Sequence, residues 1–257
     1  MSQAKGESTV TGEEPTLPKR SKGLLLLLIS LGWLGVATLL LVPLEEALPP
    51  GVEVPRAVLL IQPAMLILLS ALAGWWAAPK VRLESPVLRA IAGKSGWFAC
   101  LRDVLPAAIA GGVLSAGVLV AYGVLTGGYF GNAGASLAMP MITRVGYGGI
   151  SEEIMLRWGM MSVLALLAVK IGLSRGGALW AGNLTAAALF AVGHLPALYA
   201  LVDPPIWLLV AVLAANASAG VIFGWLYARR GLEAAMIAHA LAHLIGVPAA
   251  MLLLAGS

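Results

Sequence analysis

Long apolar stretches, interrupted by short polar loops, set the pattern of this chain. A membrane-spanning helix needs about 20 predominantly apolar residues. That template predicts spanning helices near residues 24–42, 57–78, 104–126, 141–170, 178–200, 206–228 and 233–255. The pattern therefore predicts an all-α fold, a polytopic transmembrane helical bundle of seven helices.

The fourth stretch, residues 141–170, is too long for one straight span. At 1.5 Å per residue it would be about 45 Å long, whereas the hydrocarbon core of a bilayer is about 30 Å thick. Gly146, Gly148 and Gly149 lie just before the two glutamates of this stretch, and Gly159 lies just after Arg157, which favours a kink there. An eighth membrane-associated helix is the alternative count.

The composition agrees with a membrane protein. Hydrophobic residues make up 60% of the 257 positions and charged residues only 11%, which excludes an ordinary soluble domain. Residues 1–22 are polar and are predicted to be a disordered cytoplasmic tail, with the transmembrane bundle covering residues 23–257. The single Cys100 excludes an intrachain disulfide and a cysteine-based metal cluster.

Charged residues in the loops indicate the orientation of the chain. One set of loops carries Lys19, Arg20, Lys22, Lys80, Arg82, Arg89, Lys94, Arg102, Lys170, Arg175, Arg229 and Arg230, and the alternate set carries Glu45, Glu46, Glu53 and Asp203. Since basic loops stay in the cytoplasm, the N-terminus is predicted to be cytoplasmic and the C-terminus to lie outside, in a bacterial or organellar inner or plasma membrane. The basic loops are too short and too poor in interleaved aromatic residues to indicate nucleic-acid binding.

Charged and titratable residues within the apolar stretches are the candidates for function. Glu152, Glu153 and Arg157 lie in the fourth stretch, where each carboxylate costs a few kcal/mol unless a cavity or a partner receives it. A buried ion pair between Glu153 and Arg157, at helical i, i+4 spacing, is the simplest explanation. Consecutive glutamates point about 100° apart on a helix, however, so the two carboxylates are expected to have different roles.

All three histidines of the chain also fall in apolar stretches. His239 and His243 share one helix face, and His194 comes from another helix, so they can meet the glutamates in a polar cavity inside the membrane. A carboxylate beside an imidazole can activate a water, and a further imidazole can stabilise the oxyanion formed at a carbonyl. Three alternatives stay open: His194 caps a helix end, His239 and His243 make structural contacts, or a zinc ion is bound by His194, His239, His243 and Glu152.

Four motifs together resemble a known family. They are Glu152-Glu153-Ile-Met-Leu-Arg157, Phe190-Ala-Val-Gly-His194, the glycine-rich stretch from Gly220 to Gly231, and His239-Ala-Leu-Ala-His243. In this order and spacing, over residues 140–250, they resemble the CPBP family of CAAX-type intramembrane endopeptidases, also called the abortive-infection family. The resemblance implies a catalytic cavity within the membrane and glutamate-dependent hydrolysis of a peptide bond in a membrane-associated protein or peptide.

The resemblance also implies roles for individual residues. Glu152 resembles the general base that activates water with His194, while Glu153 and Arg157 complete the first motif. His239 resembles the oxyanion-stabilising histidine. His243 stands where the family usually has Asn, but an imidazole N–H can still donate a hydrogen bond. No cofactor is expected, with zinc as the alternative noted above.

Two points oppose this interpretation. Straight helices would place His194 about 24 Å and His239 about 9 Å from the cytoplasmic side. The two can meet only if the predicted boundaries shift by several residues, or if the fifth helix is short, begins near Asn183 and tilts or breaks around Gly193 and Pro196. The substitution at position 243 favours a non-proteolytic relative, acting as an immunity, scaffold or partner-binding protein.

An ion or proton carrier is a third hypothesis, which the lack of internal repeats disfavours. The expected partners are membrane lipid and a peptide or protein substrate.

Overall fold

The computed structural model describes residues 20–43, 54–130 and 139–256, and every regular element in these ranges is helical. Of the predicted tail over residues 1–22, residues 1–19 lie outside the described residues. The helices are α1 (Lys22–Ala37), α2 (Arg56–Leu59), α3 (Ile61–Ala77), α4 (Pro86–Ala92), α5 (Trp97–Phe130), α6 (a composite run over 141–170), α7 (Arg175–Gly193), α8 (Leu195–Leu201), α9 (Ile206–Arg230) and α10 (Leu232–Ala255). Short 3₁₀ turns extend α1 over Thr38–Leu41 and α3 over Ala78–Val81.

Within the described residues, six helical segments are long and apolar enough to cross a membrane. They are Lys22–Leu41, Arg56–Val81, Trp97–Gly127, Arg175–Leu201, Ile206–Arg230 and Leu232–Ala255. Each matches one of the predicted spans, so the helical polytopic fold is confirmed. The stretch over 141–170 is not among the six, and the count of seven or eight stays a prediction. The first helix begins at Lys22, one residue inside the predicted tail.

The α6 run is helical throughout but is not one regular α-helix. It consists of an α-helical turn (Met141–Thr143), two π-helical segments (Arg144–Glu152 and Ile154–Met161) that flank Glu153, and an α-helical end (Ser162–Lys170). Wide π-helical turns are uncommon and frequently occur at functional sites. The irregularity expected for this stretch therefore coincides with its charged residues.

The α6 run forms the centre of the bundle. Ile154, Trp158 and Met161 are fully buried, and the Trp158 indole donates a 3.1 Å hydrogen bond to the Ala71 carbonyl of α3. A buried indole N–H needs such a partner, because an unpaired donor costs about 1–3 kcal/mol. Helices α1, α3, α7, α9 and α10 all contact α6, and Glu153 and Arg157 are enclosed by protein.

The last helix begins farther along the bundle axis than α5 does. Gly231 has φ +100°, which favours glycine, and turns the chain sharply between α9 and α10. A Cβ added at Gly112 of α5 would touch Leu241 and come within 3.2 Å of the Ala238 carbonyl oxygen. Gly112 lies about 22 Å along α5, whereas residues 238–241 lie only about 9–14 Å along α10 at 1.5 Å per residue. The first residue of α10 therefore lies farther along the bundle axis than the first residue of α5. This offset places His239 nearer the middle of the bundle.

Candidate active site

A cavity of about 360 Å³ lies between α5, α6, α7, α8, α9 and α10. Four predicted site residues line it: Glu152, His194, His239 and His243. His194 and His239, which straight helices would separate, both line this cavity, and both rings contact the Phe190 ring. The raised start of α10 and the break of the fifth span between Gly193 and Leu195 bring them to one cavity, although that span begins at Arg175 and not near Asn183.

The two adjacent glutamates occupy different environments. The Glu152 side chain lines the cavity and keeps 18% of its surface exposed, whereas the Glu153 side chain is fully buried at 0%. Glu153 and Arg157 do not line the cavity and lie behind it. Only Glu152 can therefore meet a molecule that enters the cavity.

Behind the cavity, Glu153 holds two partners with one oxygen. Its Oε1 lies 3.1 Å from Nη1 of Arg157 and accepts a 2.8 Å hydrogen bond from Nδ1 of His239. Nη2 of Arg157 also donates to the Gly220 carbonyl of α9 at 3.0 Å. The ion pair expected from the i, i+4 spacing is present, and it also joins α6 to α9 and α10. Removing one member of such a buried pair typically costs about 3–5 kcal/mol, because the other charge loses its partner.

Aromatic rings fix the position of His239 and of Arg157. Phe223 stacks on the His239 imidazole with ring centroids 4.5 Å apart and 17° between the planes. Phe190 meets the same imidazole edge-on at 5.8 Å. The Arg157 guanidinium lies 5.0 Å from the Phe190 ring centroid and 5.4 Å from that of Phe223, within the range of cation–π attraction. These two rings therefore separate the buried charges from the cavity.

The hydrogen bonds of His239 and His194 determine which ring nitrogen remains free. Since a carboxylate and a carbonyl can only accept, Nδ1 of His239 donates to Glu153, and Nδ1 of His194 donates to the Phe190 carbonyl at 2.8 Å. In each ring Nε2 is then left for other partners. Nε2 of His239 lies 4.0 Å from Oε2 of Glu152.

His243 lies next to His239, with ring centroids 5.1 Å apart. Its Nδ1 is buried without a hydrogen-bond partner among the described residues. Both Nε2 atoms face Gly148 of α6: a Cβ added there would lie 3.2 Å from Nε2 of His243 and 3.5 Å from Nε2 of His239. Because Gly148 has no side chain, the space in front of the two imidazoles stays open.

Several further cavity residues were not predicted as site residues. Asn216 of α9 lines the cavity and donates from Nδ2 to the Val212 carbonyl at 2.9 Å. Tyr147 and Arg144 of α6 line it as well. Asn216 could have been predicted to line a cavity, because a polar side chain inside an apolar span usually faces protein or a cavity. Nothing in the sequence indicated a role for Gly148, because that role depends on the two imidazoles that lie opposite it in the structure.

Among the described residues, no group of three or more His, Cys, Asp and Glu side chains is arranged to hold a metal ion. The zinc alternative named His194, His239, His243 and Glu152 as ligands. These side chains share the cavity, but two ring nitrogens that face away from it already donate to Glu153 and to Phe190. Independence from metal stays a prediction that a chelator can test.

Together the fold and the cavity define a helical membrane protein with carboxylate and imidazole groups in an intramembrane cavity. Residues 134–245 match the family model for the Rce1-like family, described as type II CAAX prenyl endopeptidase Rce1-like. This segment contains all four motifs, and the match confirms the resemblance to the CPBP family. It indicates a CAAX-type intramembrane protease at the level of the family. No curated protein and no solved structure matches the chain.

Proposed function

We propose that this protein is an intramembrane endopeptidase that hydrolyses a peptide bond of a membrane-associated protein or peptide with a water activated by Glu152 and His194. The observation that carries the proposal is the difference between the two glutamates. Glu152 has its carboxylate in the cavity with three histidines, and Glu153 is held behind it. A family match on its own would not tell the two apart.

The first step assigned to the site is the attack of water on the substrate carbonyl. Since Nδ1 of His194 donates to a backbone carbonyl, the neutral ring has a lone pair at Nε2 that can accept a hydrogen bond from the water. The Glu152 carboxylate takes the second proton as the water oxygen bonds to the carbonyl carbon. Positioned proton transfer of this kind typically contributes about 10²–10⁴-fold to the rate.

The second part of the proposal concerns the oxyanion that forms at the carbonyl oxygen. His243 has its Nδ1 buried without a partner, and a lone pair is less costly there than an unpaired N–H, so the favoured tautomer carries its proton on Nε2. That Nε2–H faces the space beside Gly148 and can donate to the oxyanion. His239 can donate as well when both of its ring nitrogens carry a proton. Removing one such donor typically lowers kcat by about 10²–10³-fold.

Collapse of the tetrahedral intermediate completes the reaction. The bond between the carbonyl carbon and the amide nitrogen breaks, and the proton held by Glu152 passes to the departing amine. The products are a carboxylic acid, which loses its remaining proton to solvent, and an amine, and Glu152 is again ionised. No covalent enzyme intermediate and no co-reactant besides water are required.

The test compares three variants of the purified protein in lipid nanodiscs, with a library of fluorogenic peptides carrying apolar residues around the scissile bond. Glu152→Gln and His194→Ala are expected to reduce hydrolysis by at least about 10²-fold. Asn216→Ala, a change at another polar residue of the cavity, serves as the control for general disturbance. Unchanged hydrolysis in Glu152→Gln and in His194→Ala would show that the site is wrongly assigned.

One observation favours a non-proteolytic protein with the same fold. His243 occupies a position where the family usually has Asn, and a change at an oxyanion donor can abolish catalysis. In that case the cavity would bind a partner or support the fold. The same peptide library decides, because a binding protein yields no cleavage that depends on Glu152 in any lipid.

A further inference from the structure

A second pocket, with a volume of about 330 Å³, lies outside the candidate active site and shares no residue with it. Its walls come from the loop after α3, the first two turns of α5, the end of α9 and the turn into α10. We call it the arginine pocket, and its polar side chains include Arg82, Glu84, Cys100, Asp103, Arg229 and Arg230. Its volume lies at the lower end of the roughly 300–1,000 Å³ that is typical of small-molecule sites.

The ends of the spanning segments indicate the depth of the arginine pocket in the membrane. One segment ends at Val81, directly before Arg82, and another ends at Arg230. A third begins at Trp97, three residues before Cys100, and its Trp97 and Phe98 side chains are exposed. Exposed aromatic residues at the ends of spans are typical of the interface between bilayer and water. The arginine pocket therefore lies at the level of the lipid headgroups.

The arginine pocket carries charges of both signs. Arg82, Arg229, Arg230 and Asp103 are exposed, and Glu84 is half-buried. Within the described ranges, no ion pair of 4.0 Å or less joins any of the three arginines to either carboxylate. All five charged groups are therefore available to a molecule that enters the pocket.

These charges define the chemistry of a matching ligand. Guanidinium groups bind phosphate oxygens through paired N–H donors. A ligand that is only anionic would also face the carboxylates of Glu84 and Asp103, and like charges repel. Phosphoethanolamine avoids this conflict because it has a phosphate for the arginines and an ammonium group for the carboxylates. At headgroup depth, the source of this chemistry is the lipid phosphatidylethanolamine.

Hydrogen bonds behind the pocket hold the loop that carries Arg82 and Glu84. Arg175 donates to the carbonyls of Val81 and Arg82 at 3.0 and 3.1 Å, and the Leu232 N–H donates to the Glu84 carbonyl at 3.0 Å. Arg82 has φ +55°, a left-handed conformation that costs a non-glycine residue about 1–3 kcal/mol and persists only where the surrounding structure enforces it. The backbone of this loop is therefore fixed before a ligand binds.

The buried side chain of Glu233 fixes the continuation of the same loop. Its Oε1 accepts hydrogen bonds from the Ser85 hydroxyl at 2.5 Å and from the Leu88 N–H at 2.7 Å. The loop is thus joined to the first turn of α10, next to the end of α9 that carries Arg229 and Arg230. A pocket with walls held in this way loses little conformational entropy when it binds a ligand.

We propose that the arginine pocket binds the headgroup of phosphatidylethanolamine, with the phosphate on Arg82, Arg229 and Arg230 and the ammonium group on Glu84 and Asp103. This lipid site is separate from the candidate active site and does not depend on the proposed function. A bound headgroup connects the loop after α3 with the start of α5 and the end of α9.

The first experiment measures which lipid the full-length protein retains. The protein is placed in nanodiscs with equal amounts of phosphatidylethanolamine, phosphatidylglycerol and phosphatidylcholine, all with the same acyl chains. Lipids that stay bound after release from the nanodisc are identified by native mass spectrometry. Phosphatidylethanolamine is expected to exceed each of the others at least about fivefold, the scale set by a few exposed charge contacts. Phosphatidylglycerol has no ammonium group, and the trimethylated ammonium of phosphatidylcholine has no N–H to donate.

Variants of exposed residues connect this retention to the arginine pocket. Replacing Arg229 and Arg230 together by Gln is expected to abolish the retention of phosphatidylethanolamine. Arg102→Gln is the matched control, because Arg102 is an exposed cation of α5 that does not line the pocket. The double variant Glu84→Gln, Asp103→Asn is expected to keep a bound phospholipid but to lose the preference for phosphatidylethanolamine over phosphatidylglycerol.

The second experiment uses Cys100, the single cysteine of the chain, which is half-buried in the pocket wall. Its reaction rate with a soluble methanethiosulfonate reagent is measured in phosphatidylcholine nanodiscs. Added phosphatidylethanolamine is expected to slow the reaction at least about fivefold, because an occupied site protects the thiol by a factor of 1 + [L]/Kd. Soluble glycerophosphoethanolamine, which lacks acyl chains, is expected to protect much less.

Equal retention of the three lipids, or retention that the arginine double variant leaves unchanged, would overturn the proposal. A preference of the unmodified protein for phosphatidylglycerol would also overturn it, because the carboxylates would then have no role. Equal protection of Cys100 by glycerophosphoethanolamine and by the lipid would show that the ligand is a soluble phosphoester. The retention experiment decides on its own if Cys100 does not react.

Discussion

His239 donates a hydrogen bond of 2.8 Å from Nδ1 to Oε1 of Glu153, the same oxygen that lies 3.1 Å from Arg157. One carboxylate thus joins α6 to α10 and, through Arg157 and the Gly220 carbonyl, to α9. The bond aims Nε2 of His239 toward Glu152. The second glutamate of the pair is therefore a residue that positions a histidine, in addition to being half of an ion pair.

Replacing Glu153 by Gln is expected to destabilise the protein by about 3–5 kcal/mol. The change leaves the Arg157 charge buried without its carboxylate, and this loss dominates the effect. Unfolding in mixed detergent micelles with increasing sodium dodecyl sulfate measures the free energy.

The matched control for this prediction is Glu152→Gln, which changes the neighbouring carboxylate in the same way. Glu152 faces the cavity, and among the described residues its ion-pair contact is the 4.0 Å approach to Nε2 of His239, so its change is expected to alter the stability by less than about 1 kcal/mol. Equal destabilisation by the two variants would contradict the different environments described for the two side chains.

Replacing His243 by Asn is expected to keep hydrolysis within about tenfold of the original, because the side-chain amide also donates a hydrogen bond. Replacing it by Leu removes the donor and is expected to reduce kcat by about 10²–10³-fold. Steady-state kinetics with one fluorogenic peptide measures both. Full activity of His243→Leu would show that position 243 does not contact the oxyanion.

Replacing Gly148 by Ala is expected to lower kcat/KM by at least about tenfold. The added methyl would lie 3.2 and 3.5 Å from the two Nε2 atoms and fill the place where a carbonyl must approach them. Gly117→Ala on α5 is the control, because its Cβ meets nothing within 4 Å. Both changes favour the helix slightly, so a loss of activity at position 148 alone would come from the cavity.

Incubation with a zinc chelator is expected to leave hydrolysis unchanged. In the proposed reaction Glu152 and His194 activate the water, and no step requires a metal. A catalytic zinc would be lost to an excess of 1,10-phenanthroline, and activity would return when zinc is added back. Inhibition by this chelator, with none by its non-chelating isomer 1,7-phenanthroline, would support the alternative ligand set of His194, His239, His243 and Glu152.

Much of this fold could be predicted because an apolar stretch is recognised from consecutive residues alone, without knowledge of the tertiary structure. Six helices occur where apolar stretches predicted them, and residues 134–245 match the family indicated by the four motifs. The i, i+4 ion pair of Glu153 and Arg157 was predictable for the same reason, since helical spacing alone brings these side chains together. The hydrogen bond from His239 to Glu153 was not, because it joins residues 86 positions apart.

By itself the sequence determined which polar residues lie in the membrane and on which helices, because an apolar stretch and a motif can be recognised without knowing what surrounds them. Only the tertiary structure decided which glutamate faces the cavity, since that depends on the rotation of α6 and its π-helical turns. It also decided that His194 and His239 line one cavity, because the raised start of α10 and the break after α7 are set by packing between helices. Gly148 illustrates the difference. The sequence shows that a glycine stands at this position, but only the structure shows that its missing side chain leaves space in front of two imidazoles.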